Sequence, residues 1–276
     1  MMVMASSRFF TTLVLAVLCL FSNLLNAYDL STYHEPKGDL GVQLDRVLAM
    51  SSAEYQERGN AAPIKSMYWV VSSFVDFRSG VTLTDGQIFK IALDAYKEMT
   101  PALEQYGAAS NKIRGSVMTV LAFEDRVIIA SSQKGKSSFS YDFEDTPVFQ
   151  TLQKCTELHG GDEALGHNNG AGCGEVMSAH MFYRKYGSEA TLAGKKSRAV
   201  TVWFNAKDNV VEWKEPCPLT ELDEDNNPKP FPAGWWGCKE FGMAQGIRYI
   251  PKPADADKEG EPYSMTGALI GQISLC

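Results

Sequence analysis

Three cysteines and one glutamate in the second half of the chain have the residue types of a catalytic zinc site. Residues 172–175 are Gly-Cys-Gly-Glu, so Cys173 and Glu175 are two positions apart, and Cys217 and Cys238 follow later in the chain. Thiolates are preferred zinc ligands, and catalytic zinc keeps three protein ligands and one open position. With the three cysteines as ligands, Glu175 is predicted to move protons beside that position, where zinc lowers the pKa of a water to about 7.

A predicted helix positions the first half of this set. Apolar residues recur at helical spacing over residues 175–186, and Gly187 is a plausible end for that helix. Cys173 comes just before its first turn, where unpaired N–H groups and the helix dipole favour a thiolate. Residues 198–204 (RAVTVWF) are apolar on both faces, which is typical of a central strand, and a further helix is predicted over residues 238–245.

The elements before the site follow from similar patterns. Residues 116–123 and 126–130 are β-rich and separated by Glu-Asp, which predicts a hairpin. Thr84 and Gln87 fit a capping box that begins a helix. Pro101 is expected to kink or end that helix near Met99, because proline lacks an N–H and disfavours helical geometry in the residue before it.

This order of elements predicts an α/β protein, specifically a three-layer α/β/α sandwich around one mixed sheet. We divide the chain into a signal peptide (1–27), an N-terminal extension packed on the core (28–85), an α/β domain (86–250), and a C-terminal tail with a possible last strand (251–276). The pattern of residues 205–237, rich in proline and acidic residues, predicts a long surface excursion between Cys217 and Cys238.

The first 27 residues have the features of a secretion signal. Arg8 supplies a positive charge, residues 9–20 are almost wholly apolar, and Leu25-Asn26-Ala27 is a tolerable cleavage site. The apolar run is short for a membrane span, which needs roughly 20 residues. The sequence therefore predicts a secreted, extracellular protein with no membrane association after signal removal.

The charge balance bears on the partner. The chain has 26 basic and 33 acidic residues, for a formal net charge of −7. An acidic surface disfavours nucleic acid, because binding a polynucleotide depends on neutralising phosphates with Lys and Arg. A small base-like substrate is the favoured partner. In the loop before Cys173, His167 and Asn168 are candidate substrate-binding residues that would hydrogen-bond a ring or a sugar.

Together these features resemble the cytidine deaminase-like superfamily, over roughly residues 112–245. Its members carry His/Cys-x-Glu on one helix and Pro-Cys-x-x-Cys at the start of the next. Here Cys173-Gly174-Glu175 matches the first motif, and Pro216-Cys217 matches the start of the second. The resemblance implies a deaminase-like fold, zinc as cofactor, and Glu175 moving a proton from water to a base ring and onward to the leaving amine. The chain departs from the pattern in that the next cysteine, Cys238, lies 21 positions after Cys217.

A structural role for the cysteines stays open. Five cysteines remain after the signal peptide, and an odd number leaves at least one free, metal-bound or intermolecular. Disulfides Cys217–Cys238 and Cys155–Cys173 would give a non-enzymatic, disulfide-stabilised secreted effector or binding module on the same scaffold. If zinc takes three thiolates, Cys155–Cys276 is the disulfide that remains. A secreted metal-free hydrolase is a further alternative, although no Gly-x-Ser-x-Gly motif supports it.

Overall fold

The computed structural model describes most of the chain beyond the predicted signal peptide. The described residues are 28–78, 80–108, 113–160, 166–217, 220–222, 228–230 and 236–276. The predicted signal peptide, 1–27, lies outside these ranges, so secretion stays a prediction. Within the described ranges, none of the helices combines the length and the apolar character that crossing a bilayer requires.

The centre of the fold is one sheet of eight strands. Its strand order is β1-β3-β5-β4-β7-β11, with β12 paired to β3 and β8 paired to β7. The strands are β1 (Gln43–Leu44), β3 (Val71–Asp76), β4 (Val117–Phe123), β5 (Arg126–Ser131), β7 (Arg198–Asn205), β8 (Val210–Lys214), β11 (Arg248–Tyr249) and β12 (Leu269–Gly271). β11 pairs with β7 in parallel, whereas the other pairs are antiparallel, so the sheet is mixed.

Two small two-stranded sheets and seven α-helices complete the described structure. The small sheets pair β2 (Tyr68–Trp69) with β6 (Lys134–Gly135) and β9 (Thr220–Leu222) with β10 (Pro228–Pro230). The helices are α1 (Arg46–Met50), α2 (Ala53–Arg58), α3 (Asp85–Glu104), α4 (Phe139–Asp142), α5 (Pro147–Gly160), α6 (Gly174–Tyr186) and α7 (Cys238–Ala244).

The helices cover both faces of the sheet. Successive side chains of a strand point to opposite faces, and in β4 Val120 joins one apolar cluster whereas Leu121 joins the other. Helix α3 packs on the first face against β4 and β7, and α6 packs on the second face against β4 and β5, with α5 and α7 beside it. The predicted three-layer α/β/α sandwich is confirmed, and the predicted hairpin is the pair β4–β5.

Helix α3 confirms one sequence prediction and corrects another. The Thr84 hydroxyl accepts from the Gln87 N–H while the Gln87 side chain accepts from the Thr84 N–H, which is the predicted capping box. The predicted end near Met99 is wrong, because the helix continues through Pro101 to Glu104, and the alternative of a kink stays a prediction. Pro101 lies in the last turn, where its missing N–H removes a single helical bond, and buried Leu103 after it packs into the core.

The segments on either side of the central region take part in the same sheet. β1 and β3 lie within residues 28–85, and β12, within residues 251–276, pairs with β3. The buried carboxylate of Asp45 accepts from the N–H of Leu275 at 2.8 Å. This bond holds the end of the chain against the start of helix α1.

Candidate metal centre

Four side chains with metal-binding atoms come together on the α6 face of the sheet. Cys173 is the residue just before helix α6, and Cys238 is the first residue of α7. Cys217 follows β8, and His167 lies in the loop that leads to α6. The ligand atoms of His167, Cys173 and Cys238 all lie within 4.8 Å of one another, and all three residues are buried. The Sγ atom of Cys217 lies 4.0 Å from that of Cys173.

Two of the separations among these atoms match those expected around a tetrahedral metal ion. Zinc bonds to sulfur at about 2.3 Å and to imidazole nitrogen at about 2.0–2.1 Å. Tetrahedral angles then separate two thiolates by about 3.8 Å and a thiolate from an imidazole by about 3.6 Å. The observed separations are 4.0 Å between the sulfurs of Cys173 and Cys217 and 3.4 Å between Cys238 Sγ and His167 Nε2. Residues that are far apart along the chain could therefore hold one metal ion.

Gly237 explains how Cys217 reaches Cys238 although 21 positions separate them. A Cβ atom built on Gly237 would lie 2.4 Å from the carbonyl oxygen of Cys217. Only a residue without a side chain permits so close an approach. The Glu240 carboxylate then accepts from the Gly237 N–H at 3.0 Å, which fixes the start of α7. The excursion predicted over residues 205–237 is wrong in its first part, which forms β8, and the contact instead joins the chain on either side of residues 218–236.

His167 is fixed through both its backbone and its ring. Its backbone forms a parallel bridge with Trp236, and its N–H donates to the Tyr141 hydroxyl at 3.1 Å. The ring meets the Trp236 ring edge-on, with 4.9 Å between centroids. Nδ1 bonds to the carbonyl of Asn168, which places the ring proton on Nδ1 and leaves the Nε2 lone pair facing Cys238. Metal-binding histidines commonly have such a partner on the other nitrogen.

Glu175 is a buried carboxylate next to the sulfurs. Its side chain is 3% exposed, and burial raises its pKa above the usual range. The Thr201 hydroxyl donates to Oε1 at 2.8 Å, and a further 2.7 Å bond links Thr201 to Thr119. The Cys238 thiol contacts Oε2 at 3.6 Å. Thr201 therefore orients one carboxylate oxygen, and the other faces the metal-binding atoms.

The pKa values of the three thiols are shifted in different directions. Hydrogen bonds from the thiol of Cys173, and then from that of Cys238, lower the pKa of the Cys217 thiol. Donating to Cys217 raises the pKa of Cys173, and burial raises the pKa of Cys238. Burial also lowers the pKa of His167 and keeps its imidazole neutral. A neutral imidazole and a thiolate are the forms that bind metals.

A cavity of about 420 Å³ leads to this centre from the surface. Its lining includes Cys173, Glu175, Thr201 and Cys217. His167 lines a different cavity, of about 450 Å³. Glu175, Cys173 and Cys217 thus line one cavity, whereas His167 lines another.

Gly174, the middle residue of the Cys-Gly-Glu triplet, sets the distance between helix α6 and the sheet. A Cβ atom there would lie 2.4 Å from Thr119 Oγ1 and 2.8 Å from the carbonyl oxygen of Ala130. We predict that Gly174→Ala lowers the free energy of unfolding by about 1–3 kcal/mol, because overpacking must push the helix away. Denaturant unfolding measures the change.

Gly172→Ala is the matched control for this prediction. A Cβ atom on Gly172 meets its nearest neighbours at 3.7 Å, which is ordinary contact, and its φ of −88° suits any residue. Alanine there should be neutral or stabilise by up to about 1 kcal/mol. Equal losses from the two substitutions would contradict the role assigned to Gly174.

The structure brings the sequence-predicted residues to one place and adds others. Cys173, Glu175, Cys217 and Cys238 are adjacent, whereas His167, predicted to bind substrate, lies among the metal-binding atoms. Asn168 contributes its backbone, donating from N–H to the Trp236 carbonyl at 2.7 Å. A substrate contact by His167 and Asn168 stays a prediction. The five described cysteines are free, so none of the disulfides considered from the sequence is present among them.

Two site residues escaped the sequence analysis. Thr201 belongs to β7, and its hydroxyl reaches Glu175 because alternate strand residues face α6. Asn169 donates from Nδ2 to Cys217 Sγ at 3.2 Å and has a positive φ of 61°. The run His-Asn-Asn-Gly over residues 167–170 was the available signal, since asparagine and glycine tolerate such backbone. Sequence spacing alone gave no reason to connect it to Cys217.

Comparison with known proteins gave no match. No protein-family model, curated protein or solved structure is similar enough to this chain to assign it to a family. The function must therefore be argued from the site.

Proposed function

We propose that this protein is a secreted, zinc-dependent hydrolase that deaminates a nucleobase-like ring. The observation that carries the proposal is the position of Glu175. Its buried carboxylate lies 3.6 Å from Cys238 Sγ and lines the same cavity as Cys173 and Cys217. A carboxylate between metal-binding sulfurs and an accessible cavity can move protons for a reacting molecule.

The donor set favours zinc. His167, Cys173 and Cys238 offer one imidazole nitrogen and two sulfurs within 4.8 Å of one another, and the sulfur of Cys217 lies 4.0 Å from that of Cys173. Soft thiolates with imidazole suit zinc, whereas magnesium and calcium prefer oxygen ligands. When bound, zinc supplies Lewis-acid chemistry and makes hydroxide available from water near neutral pH.

The residues of the chain provide the proton transfers. Glu175 Oε2 accepts a proton as water adds to the amino-bearing carbon of the ring. The carboxyl group passes this proton to the adjacent ring nitrogen. It then takes the proton of the new hydroxyl group and delivers it to the amino nitrogen, so that the carbon–nitrogen bond breaks, ammonia leaves and a carbonyl remains in the ring. Thr201 holds Oε1 at 2.8 Å throughout, which keeps the carboxylate oriented. Such a positioned acid–base group contributes about 10²–10⁴-fold to a rate.

The surroundings favour a small substrate. The cavity of about 420 Å³ is within the range of small-molecule sites, and Asn169 and Lys134 line it with Glu175. Amide groups can pair with the ring carbonyls and nitrogens of a base. The net charge of −7 disfavours a polynucleotide, since phosphate contacts dominate nucleic-acid affinity. A free base or nucleoside is the proposed substrate class.

A direct experiment measures metal and product together. The purified, reduced chain without its first 27 residues should contain one zinc per chain and release ammonia from one member of a panel of amino-bearing bases and nucleosides. A carbonyl-bearing product formed in equal amount would support hydrolytic deamination. Absence of zinc binding would contradict the proposal, and so would disulfides among Cys173, Cys217 and Cys238 in a non-reducing mass map of the protein before reduction.

The number of donors favours a second candidate function. Structural zinc sites use four protein ligands, and four donors surround this point. The protein would then be a non-enzymatic secreted effector or binding module stabilised by the metal. Stoichiometric zinc without ammonia release from any member of the panel would favour this candidate over the enzyme.

A further inference from the structure

A catalytic centre requires an open coordination position, yet four donors are present here. We propose that Cys217 is the exchangeable donor, and that His167, Cys173 and Cys238 hold the metal permanently. This inference rests on the proposed function, because it explains how a four-donor centre can become accessible to a substrate. Cys217 would close the centre at rest and leave it open when it swings away.

The three residues assigned as permanent donors are fixed by contacts with the core or with neighbouring loops. His167 is tied to Trp236 by a backbone bridge and a ring contact, and to Tyr141 by a hydrogen bond. Cys173 and Cys238 are 7% and 0% exposed and belong to the apolar cluster beneath α6. Their ligand atoms form the compact group within 4.8 Å. Moving any of the three would disrupt a helix start or the core.

Cys217 is held more loosely. It is partly exposed and lies outside regular secondary structure, beyond the end of β8. Its side chain packs against the apolar cluster, its sulfur lies 4.0 Å from that of Cys173, and the sulfur accepts from the exposed amide of Asn169 at 3.2 Å. That amide can follow the sulfur, so a departing thiolate keeps a hydrogen-bond donor.

The place that Cys217 would vacate faces the reaction site. Cys217 and Glu175 line the same cavity of about 420 Å³, whereas His167 lines the other one. His167 does not line the cavity that Glu175 lines, so its departure would vacate a position outside that cavity. Departure of Cys217 opens it towards the cavity, next to the carboxylate. Cys173 lines that cavity as well, but it is buried at the start of α6, so the geometry assigns the exchange to Cys217.

Thiol modification of the zinc-loaded protein tests this assignment. The protein is treated with iodoacetamide in a Cys276→Ser background, which removes the other partly exposed thiol, and modified residues are mapped by mass spectrometry with zinc content measured in parallel. We expect Cys217 to react about tenfold faster or more than Cys173 and Cys238, since accessible thiolates react first. One zinc should remain bound after Cys217 has reacted.

Metal affinity of two variants provides a second measurement that does not depend on reactivity. Competition with a chelator should show that the zinc affinity of His167→Ala is at least about tenfold lower than that of Cys217→Ser. The reason is that loss of a permanent donor lowers the affinity more than loss of an exchangeable one. X-ray absorption of the Cys217→Ser protein should retain the imidazole signal with one sulfur fewer. Circular dichroism establishes that both variants are folded.

The outcomes separate this inference from the proposed function. Equal protection of the three cysteines, or release of zinc when Cys217 reacts, would overturn the exchange and leave a zinc enzyme possible. A greater loss of affinity in Cys217→Ser than in His167→Ala would do the same. Absence of zinc binding by the unmodified protein would overturn both.

Discussion

Replacing Glu175 by glutamine should lower kcat/KM for deamination by about 10²–10⁴-fold, which is the usual contribution of a positioned acid–base group. Glutamine keeps the size of the side chain and can still pair with Thr201. It cannot accept and return a proton. Zinc content should stay at one per chain, because Glu175 is not among the assigned donors. Ammonia release under subsaturating substrate, with metal analysis of the same sample, measures both quantities.

Glu215→Gln is the matched control for this experiment. Glu215 lines the same cavity but is exposed. Its substitution by glutamine removes the same carboxylate group as Glu175→Gln does. Activity should change by less than about threefold, since no catalytic role is assigned to it. If both variants lose activity equally, the loss reflects the charge of the cavity. If Glu175→Gln retains full activity, Glu175 is not the proton carrier.

Removal of the metal should cause the largest change in stability. A ligand present at a thousand times its Kd stabilises the folded state by about 4 kcal/mol. For a chain of this size each kcal/mol shifts Tm by about 2–4 °C, so chelation should lower Tm by about 10 °C. The physical reason is that His167, Cys173 and Cys238 tie together the loop before α6 and the starts of α6 and α7. Calorimetry with and without chelator, under reducing conditions, gives the shift.

Two cysteine variants show whether the effect comes from this centre. In Cys173→Ser the chelator should not lower Tm further, because the substitution already removes a metal donor. Cys173 belongs to the compact donor group, and its sulfur lies 4.0 Å from that of Cys217. Cys276→Ser should respond as the unmodified protein does, since Cys276 lies near Ser51 at a different place. A chelator response that persists in Cys173→Ser would place the stabilising metal elsewhere.

The sequence was informative where local patterns dictate structure. Alternating and continuous apolar runs predicted the β4–β5 hairpin and the central strand β7, and the Thr84–Gln87 pair predicted the start of α3. These features depend on neighbouring residues, so they can be derived without knowledge of the fold. The prediction that α3 ends near Met99 was wrong because the effect of a proline depends on its position in the helix. The end of α3 is set by burial of later residues.

The site was harder to predict, because its contacts join distant segments. The residue types of Cys173, Cys217 and Cys238 suggested a common metal, but only folding shows that Cys217 and Cys238 meet. The position of His167 depends on a bridge to Trp236, 69 residues later in the chain, and no local pattern encodes that pairing. From sequence alone, a histidine in a glycine-rich loop is as consistent with a substrate-binding residue as with a metal ligand.

The contact between Gly237 and the Cys217 carbonyl has a consequence for the evolution and engineering of this protein. Because the chain leaves the centre at Cys217 and returns to it at Trp236 and Gly237, the donors do not fix the number of residues in the branch of chain between these points. Changing the length of a loop with fixed ends costs little free energy, roughly 0.6 kcal/mol for each doubling. The branch is therefore a natural insertion point, where new sequence could be acquired or exchanged while the four donors keep their positions.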